Sequence, residues 1–303
     1  MLKRSLFFGQ PAYLSTRHQQ LWVHYPEDTL LPPKSVPIED VGFVVIENRQ
    51  VSLTAGLMAK LMAHNVVIIH CNELHLPVGY SVGFAGHTEF SERARAQIEA
   101  GLPLKKQFWQ QVVAAKIQNQ AGALLRWGET DAARKLERYA NQVLSGDSSR
   151  LEATAAAHYW KFFRPNGERF LRDAEGEVPN AHLNYGYAIV RAAVARGLSG
   201  AGLLPVLGLY HSNKYNAFCL ADDLMEPYRP FVDDLVWQMA GKQNLKSDIS
   251  TAEKQALLGL LVRDVAIDGN ISPCMNAIER SCKSLALGYL GQVRKLHLPE
   301  WPN

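Results

Sequence analysis

The segment Gly208-Leu-Tyr-His-Ser-Asn-Lys-Tyr-Asn-Ala-Phe-Cys-Leu-Ala-Asp-Asp-Leu-Met-Glu-Pro227 places one histidine, one lysine and three carboxylates close together in the chain. A helix over its second half brings Asp222 and Glu226 onto one face, because they are four residues apart. Pro227 disfavours helical geometry at Glu226, so we expect that carboxylate at a helix end or kink. His211 precedes this helix and can approach the same face.

These side chains form a donor set that suits a divalent cation. Two carboxylates and an imidazole favour Mg²⁺ or Mn²⁺ over zinc, since no thiolate pattern accompanies them. Glu152, at the start of another predicted helix, is a further carboxylate from a separate element. A metal beside lysines suggests chemistry on phosphate.

The same residues also fit structural roles. An Asp-Asp-x-x-Glu run on a helix is typical of a solvated face, and His211 is compatible with a hydrogen-bonded structural histidine. Ser149-Arg-Leu-Glu152 has the form of a capping box, in which Glu152 bonds the Ser149 backbone N–H. Spacing alone therefore leaves both a metal site and ordinary helix structure open.

Composition indicates a globular protein. The 303 residues predict one large domain or two smaller ones, with 47% hydrophobic and 20% charged residues and a formal net charge of +3. No apolar tract is long enough to span a membrane. We interpret the N-terminus as a first strand because its apolar part is too short for a signal peptide. Four cysteines without CxxC pairing favour a reducing, cytoplasmic location.

The first part of the chain, residues 1–85, reads as β-rich. Short β-branched or aromatic runs separated by Gly, Pro, Asn and Asp predict strands at Arg4–Phe8, Tyr13–Thr16, Gln20–His24, Val41–Ile46, Val66–Ile69 and His75–Val78. Helical spacing over Val51–Ala63 predicts one helix between two strands. Residues 86–103 are expected to form a hinge, starting around Gly83-Phe-Ala-Gly-His-Thr88.

The remainder, residues 104–303, reads as helical. Periodicity and stop signals predict helices at Leu104–Trp127, Thr130–Leu144, Ser149–Phe163, Asn180–Arg196, Phe218–Ala240 with breaks at Pro227 and Pro230, Ser250–Ile267 with a Ser250/Glu253 capping box, and Asn276–Leu296. The predicted fold class is therefore α+β, with a small β-rich N-terminal domain followed by a larger all-α C-terminal domain.

Three blocks of the chain resemble the CRISPR adaptation integrase family, Cas1. They are Arg150-Leu-Glu-Ala-Thr-Ala-Ala-Ala-His-Tyr-Trp160, Ala181-His-Leu-Asn-Tyr-Gly-Tyr-Ala-Ile189, and Gly208-Leu-Tyr-His-Ser212 through Met225-Glu-Pro-Tyr-Arg-Pro230. The segment from Trp109 to Lys116-Ile-Gln-Asn-Gln120 resembles the first helix of that family. The order and spacing of the blocks match over nearly the whole chain, and their form is most similar to members from type II systems.

The resemblance implies specific site residues. The family's metal ligands fall on Glu152, His211 and Glu226, which would hold Mg²⁺ or Mn²⁺. The last ligand is often aspartate in the family, and here it is one methylene longer. Asp222 would then be a supporting carboxylate. Lys214 is a candidate for contacting phosphate or the leaving oxygen, with a plain surface lysine as the alternative.

The implied reaction is integration of short DNA fragments into a CRISPR array. The 3′-hydroxyl of a captured fragment attacks a phosphodiester in a transesterification, and the same site can hydrolyse DNA if water replaces that hydroxyl. The absence of a P-loop or a nucleotide-binding glycine fingerprint agrees with strand transfer that needs no external energy source. Tyr185 and Tyr187 either line the strand path or are core aromatics.

The resemblance also implies partners. These are double-stranded DNA, a second copy of the chain paired through residues 1–85, and the small dimeric protein Cas2 in a heterohexamer, with no membrane. Among the basic residues before Glu152, Arg93 and Arg95 are the predicted DNA contacts. The strand Val41–Ile46 either supports dimer pairing or belongs to a sheet within the domain.

Two other functions fit the residues. One is a stand-alone metal-dependent nuclease acting on branched DNA repair intermediates. The other is a non-catalytic scaffold that bridges DNA.

Overall fold

The computed structural model describes residues 3–83, 87–165, 167, 170–173, 176, 178–242, 245–246 and 248–302. In its first part the strands and the helix are β1 (Arg4–Phe8), β2 (Ala12–Arg17), β3 (Gln20–His24), β4 (Lys34–Pro37), β5 (Val41–Ile46), β6 (Val51–Leu53), α1 (Ala55–Ala63), β7 (Val67–Cys71) and β8 (Pro77–Ser81). All six predicted strands are present, to within two or three residues at their ends. Strands β4 and β6 were missed, and the helix predicted over Val51–Ala63 is instead a strand followed by α1.

The strands form two four-stranded sheets. One has the order β1-β5-β7-β8, parallel except for the β7–β8 pair, and the other has the order β4-β3-β2-β6. Strand β5 lies between β1 and β7, so its backbone is paired within the sheet. Of the two interpretations of Val41–Ile46, the structure therefore supports a strand within the domain, and pairing of this strand with a second copy is excluded.

The two parts of the chain share a hydrophobic core through the first sheet. Alternate side chains of β5 and β7 point to opposite faces, as in any strand. Val44 and Ile68 pack with the second sheet and α1, whereas Val45 and Ile69 belong to the same buried cluster as the C-terminal helices. This explains why these strands are apolar throughout rather than alternating.

The helices that follow are α2 (Phe90–Glu99), α3 (Leu102–Arg126), α4 (Thr130–Ala140), α5 (Leu151–Tyr159), α6 (Asn180–Gly200), α7 (Cys219–Met225), α8 (Arg229–Lys242), α9 (Thr251–Leu258) and α10 (Cys274–Tyr289). Within the predicted hinge, residues 84–86 lie outside the described residues, and residues 90–99 form α2. The Ser250/Glu253 capping box at α9 is confirmed.

An all-α C-terminal part is a wrong prediction. Strands β9 (Asp264–Ile267), β10 (Asn270–Pro273) and β11 (Pro299–Glu300) form an antiparallel sheet in the order β10-β9-β11. The predicted helix Ser250–Ile267 ends early because a 3₁₀ turn at Gly259–Val262 leads into β9. None of the helices in the described ranges combines the length and apolar character that crossing a bilayer requires.

Candidate active site

Helix α3 contributes two side chains to the site. It presents Lys116 toward two carboxylates, and one turn later the Asn119 amide donates to the carbonyl oxygens of Pro227 and Pro299, each at 2.8 Å. Asn119 is almost completely buried. The first of these hydrogen bonds fixes the backbone beside Glu226 to the middle of α3, and the second fixes strand β11 there.

Glu226 stands at the break between two helices, as predicted. Helix α7 ends at Met225, a 3₁₀ turn covers Glu226–Tyr228, and α8 begins at Arg229. Pro227 cannot continue the helical hydrogen-bond ladder, because it has no N–H. The side chain of Glu226 is only 6% exposed, so its charge must be compensated within the protein.

Glu152 lies at the start of α5 but does not cap it, so the structure does not support the capping box that was the alternative interpretation of this residue. Arg150 is the N-cap residue, in a left-handed conformation, and the Asp147 carboxylate accepts from the N–H groups of Leu151 and Glu152 at 2.8 and 3.0 Å. Because Asp147 caps the helix, the carboxylate of Glu152 is available to the site.

The two carboxylates converge on one cation. The Lys116 ammonium lies 2.7 Å from Glu152 Oε1 and 2.5 Å from Glu226 Oε2, and Arg229 Nε lies 2.8 Å from Glu226 Oε1. Burial alone raises the pKa of Glu226, but Arg229 and Lys116 outweigh it and hold that pKa below its ordinary value. Glu226 is therefore held ionised, and both carboxylates contact the same ammonium group.

Asp223 fixes His211. Its buried carboxylate accepts from the backbone N–H groups of Leu209, Tyr210 and His211, and it lies 2.5 Å from His211 Nδ1. The hydrogen bond to Asp223 raises the pKa of His211, although burial opposes it, and Glu226 and Glu152 add to the effect. With Nδ1 engaged, Nε2 is the nitrogen left for a ligand.

Packing around His211 restricts its ring further. Trp109 of α3 stacks on Tyr210 at 4.8 Å between ring centroids and meets the His211 ring edge-on at 5.9 Å. A Cβ added at Gly208 would stand 2.2 Å from the His211 carbonyl oxygen and 2.8 Å from Asp223 Oδ2. The loop that carries His211 therefore needs glycine at this position.

Two further predicted site residues, Asp222 and Lys214, do not contact Glu152 or Glu226. Asp222 pairs with Arg191, whose Nε lies 2.7 Å from Asp222 Oδ1, and it accepts from the Asn216 amide at 2.6 Å. Asp222 thereby ties Asn216, in the loop that follows His211, to Arg191 on α6. The Lys214 ammonium lies over the Tyr215 ring at 4.8 Å and makes no ion pair with any described residue.

The two predicted DNA contacts on α2 have different surroundings. Arg93 is buried, donates to the Ala201 carbonyl and pairs with Glu89, so its guanidinium is committed inside the protein. Arg95 is exposed. Tyr185 and Tyr187 are core aromatics, and the hydroxyl of Tyr187 donates to Asp233.

The residue types at the site are donors that a divalent cation accepts. In the described ranges, however, no three His, Cys, Asp or Glu side chains are gathered closely enough to hold a metal ion, and Lys116 lies between the two glutamates. The glutamates nevertheless share one cation position, and the charges of both act on His211 nearby. Two carboxylate oxygens and one imidazole nitrogen are donors that Mg²⁺ and Mn²⁺ accept.

Three residues that contact the predicted ligands were given no place in the predicted site: Lys116, Asp223 and Arg229. A signal existed for Asp223, which precedes Glu226 by three residues and so shares its helix face. Arg229 stands three residues after Glu226, at the same spacing. Lys116 carried no local signal, because its partners lie on other helices.

Comparison with known proteins identifies the family of this chain. The family described as "CRISPR associated protein Cas1" matches residues 6–266. The chain is 36% identical over 301 residues to the CRISPR-associated endonuclease Cas1 of Neisseria meningitidis serogroup C (strain 8013), covering 99% of this chain and 97% of that one.

Solved structures share the fold. A casposase bound to its integration product superposes with a TM-score of 0.76 at 18% identity, covering 98% of this chain and 92% of that one. A Cas6-RT-Cas1–Cas2 complex superposes with a TM-score of 0.75 at 17% identity, covering 99% of this chain and 36% of that one. The family match and the full-length relative together show that this chain belongs to the Cas1 family of CRISPR-associated proteins.

Proposed function

We propose that this chain is a metal-dependent DNA integrase and endonuclease of CRISPR adaptation, with Glu152, His211 and Glu226 as the metal ligands. The observation that carries the proposal is the convergence of Glu152 and Glu226 on one cation position beside a histidine whose Nδ1 is held by Asp223. The endonuclease name of the full-length relative and the integration product bound to the casposase support it.

When bound, Mg²⁺ or Mn²⁺ would lower the pKa of the attacking 3′-hydroxyl and offset the negative charge that grows in the transition state. Glu152 from the first turn of α5 and Glu226 from the 3₁₀ turn after α7 would supply oxygen donors, and His211 would supply its Nε2. Asp223 holds the tautomer and the direction of the imidazole. Arg229 keeps Glu226 ionised, so that its oxygens remain ligands.

DNA and protein partners follow from the same proposal. The substrate is a double-stranded fragment with free 3′ ends, and the partner is the Cas2 protein seen with Cas1 in a structural neighbour. A homodimer through residues 1–85 would use the outer strands β1 and β8 of one sheet or β4 and β6 of the other, because β5 is internal.

The test is a reconstituted integration assay with the Cas2 partner, a fragment bearing 3′-hydroxyls and a supercoiled target that contains the repeat. We expect Glu152→Ala, His211→Ala and Glu226→Ala each to reduce strand transfer by about 100-fold or more, while DNA affinity and the unfolding temperature stay near wild type. Near-normal joining by Glu226→Ala would remove that residue from the ligand set.

A stand-alone nuclease is the second candidate, because the relatives carry the name endonuclease. Hydrolysis of branched DNA without any joining of 3′-hydroxyl donors would favour the nuclease. If all three alanine variants support normal joining, the chain is a scaffold and another component holds the catalytic site.

A further inference from the structure

A polar cavity separate from Glu152 and Glu226 lies where the N-terminal part of the chain meets the helices. It has a volume of about 390 Å³ and is bordered by the end of α1, by α2, by the second half of α6 and by α10. Its charged lining comprises Lys3, Arg93, Arg196, Lys283 and Glu279, so four cations face one carboxylate. None of these residues belongs to the candidate active site.

Arg196 is the buried element of this cavity. Its side chain is 3% exposed, Nε donates to the Asn65 carbonyl at 2.6 Å, and Nη1 lies 2.5 Å from Glu279 Oε1. Nη2 has no hydrogen-bond partner among the described residues. A buried guanidinium with an unused nitrogen at a cavity wall is a donor that an anion can satisfy.

The remaining charges leave the cavity with a positive excess. The carboxylate of Glu279 is engaged by Arg196, and Arg93 pairs with Glu89 outside the cavity. Lys3 and Lys283 form no ion pair with any described residue. Burial lowers the pKa of Lys3 and the nearby Arg196 lowers it further, while the carboxylates of Glu279, Asp40 and Glu39 act in the opposite direction.

An imidazole and an amide also line the cavity. His87 Nδ1 accepts a hydrogen bond from the Glu89 N–H at 3.1 Å, which leaves Nε2 free of that contact. Asn65 lies beside Arg196, and its amide donates to the Arg196 carbonyl at 3.5 Å. Asparagine is among the side chains that contact phosphate oxygens.

We propose that this cavity is a phosphate-binding site, in which Arg196, Lys3 and Lys283 hold the oxygens of one phosphate group. The phosphate is either a backbone phosphate of DNA, which rests on the proposed function, or a free phosphate. The site is independent of the metal ligands, so it can bind while the active site is inactive.

The test removes the two lysines and leaves the buried arginine in place. Inorganic phosphate is titrated by calorimetry into the full chain, into Lys3→Gln/Lys283→Gln, and into a control, Lys242→Gln/Lys246→Gln, at constant ionic strength. The control changes the net charge equally through exposed lysines that do not border the cavity. We expect phosphate affinity to fall about tenfold or more in the cavity variant and to remain unchanged in the control.

DNA binding in EDTA distinguishes the two phosphate sources. If the cavity holds a backbone phosphate, the slope of log affinity against log salt becomes shallower by about 0.9 per lost contact in the cavity variant but not in the control. An unchanged slope with lost phosphate binding supports a free phosphate as the ligand.

The proposal is overturned if wild type binds no phosphate, or if the cavity and control variants bind it equally. Strand joining by Glu152→Ala tests the proposed function separately from phosphate binding in the cavity. Loss of phosphate binding in the cavity variant stands as support even if Glu152→Ala joins DNA normally.

Discussion

At the scale of single residues, the arrangement around His211 explains why two adjacent aspartates are not equivalent. Asp223 is fully buried and contacts the imidazole and three backbone N–H groups, whereas Asp222 pairs with Arg191. A carboxylate behind a ligand histidine sets its tautomer and its direction. If His211 is a metal ligand, as we propose, Asp223 is its positioning residue, whereas Asp222 contacts Arg191 and Asn216.

The first prediction concerns Asp223→Asn. We expect Mn²⁺ affinity to fall about 10- to 100-fold, because the asparagine keeps the volume but loses the charge that orients His211. Calorimetric titration of Mn²⁺ measures this directly, with Asp222→Asn as the matched control. Equal losses in the two variants would show that Asp223 acts only through the stability of the loop.

The second prediction concerns Lys116→Met. Removing one partner of a buried ion pair leaves uncompensated charge, and we expect the free energy of unfolding without metal to fall by about 3–5 kcal/mol. Bound metal replaces the lost positive charge, so Mn²⁺ should stabilise the variant more than it stabilises wild type. Urea denaturation with and without Mn²⁺ measures both effects. A variant as stable as wild type in EDTA would contradict this account of Lys116.

At the scale of elements, a buried carboxylate joins three helices behind the site. Asp233 of α8 accepts from the hydroxyl of Tyr159 on α5 at 3.0 Å and from the hydroxyl of Tyr187 on α6. Burial raises the pKa of Asp233 to about 7, although the two tyrosines partly oppose this effect. The folded state therefore holds this proton more tightly than the unfolded chain does.

The third prediction follows from that pKa and concerns pH. The contribution of Asp233 to stability is fully present below about pH 4, its ordinary range, and is lost as the pH rises through about 7. We expect Asp233→Asn, which mimics the protonated acid, to gain stability relative to wild type between pH 5 and pH 8, by up to a few kcal/mol. Urea denaturation at both pH values tests this. Parallel pH dependences in the two proteins would contradict it.

At the scale of the whole molecule, a buried ion pair connects the N-terminal sheets to the helices, in addition to the hydrophobic core that they share. Glu47 follows β5, and Lys254 lies on α9; their side chains are 6% and 7% exposed and form an ion pair. A buried pair is costly to break from one side, because the remaining charge has no partner.

The fourth prediction uses that pair. Lys254→Met alone should lower the free energy of unfolding by about 3–5 kcal/mol. Adding Glu47→Leu should recover most of that loss, because no buried charge is then left without its partner. Because β5 and β7 contribute to both clusters, we also expect each variant to unfold in a single transition. Additive losses in the double variant would show that the two side chains do not depend on each other.

The local sequence was sufficient to predict most of the secondary-structure elements. The apolar runs of the strands, the residues that end the helices and the break at Pro227 each lie within a short segment. Interactions between residues close in the chain are therefore enough to produce them. Glu152, His211 and Glu226 came from the matching blocks of the family resemblance, and their roles remain proposals. The alternative interpretation of Glu152 as a capping residue failed because Arg150 is the left-handed N-cap residue and the Asp147 carboxylate accepts from the first N–H groups of α5.

Only the tertiary structure decided what surrounds those residues. Lys116 meets Glu152 and Glu226 because α3 passes beneath two other helices, and no spacing along the chain encodes that crossing. Arg93 looked like a surface cation, yet the packing of α2 against the loop after α6 buries it. Sequence patterns report which face of one element is apolar, whereas charge compensation in a buried site depends on distances between elements that are set only when the core is assembled.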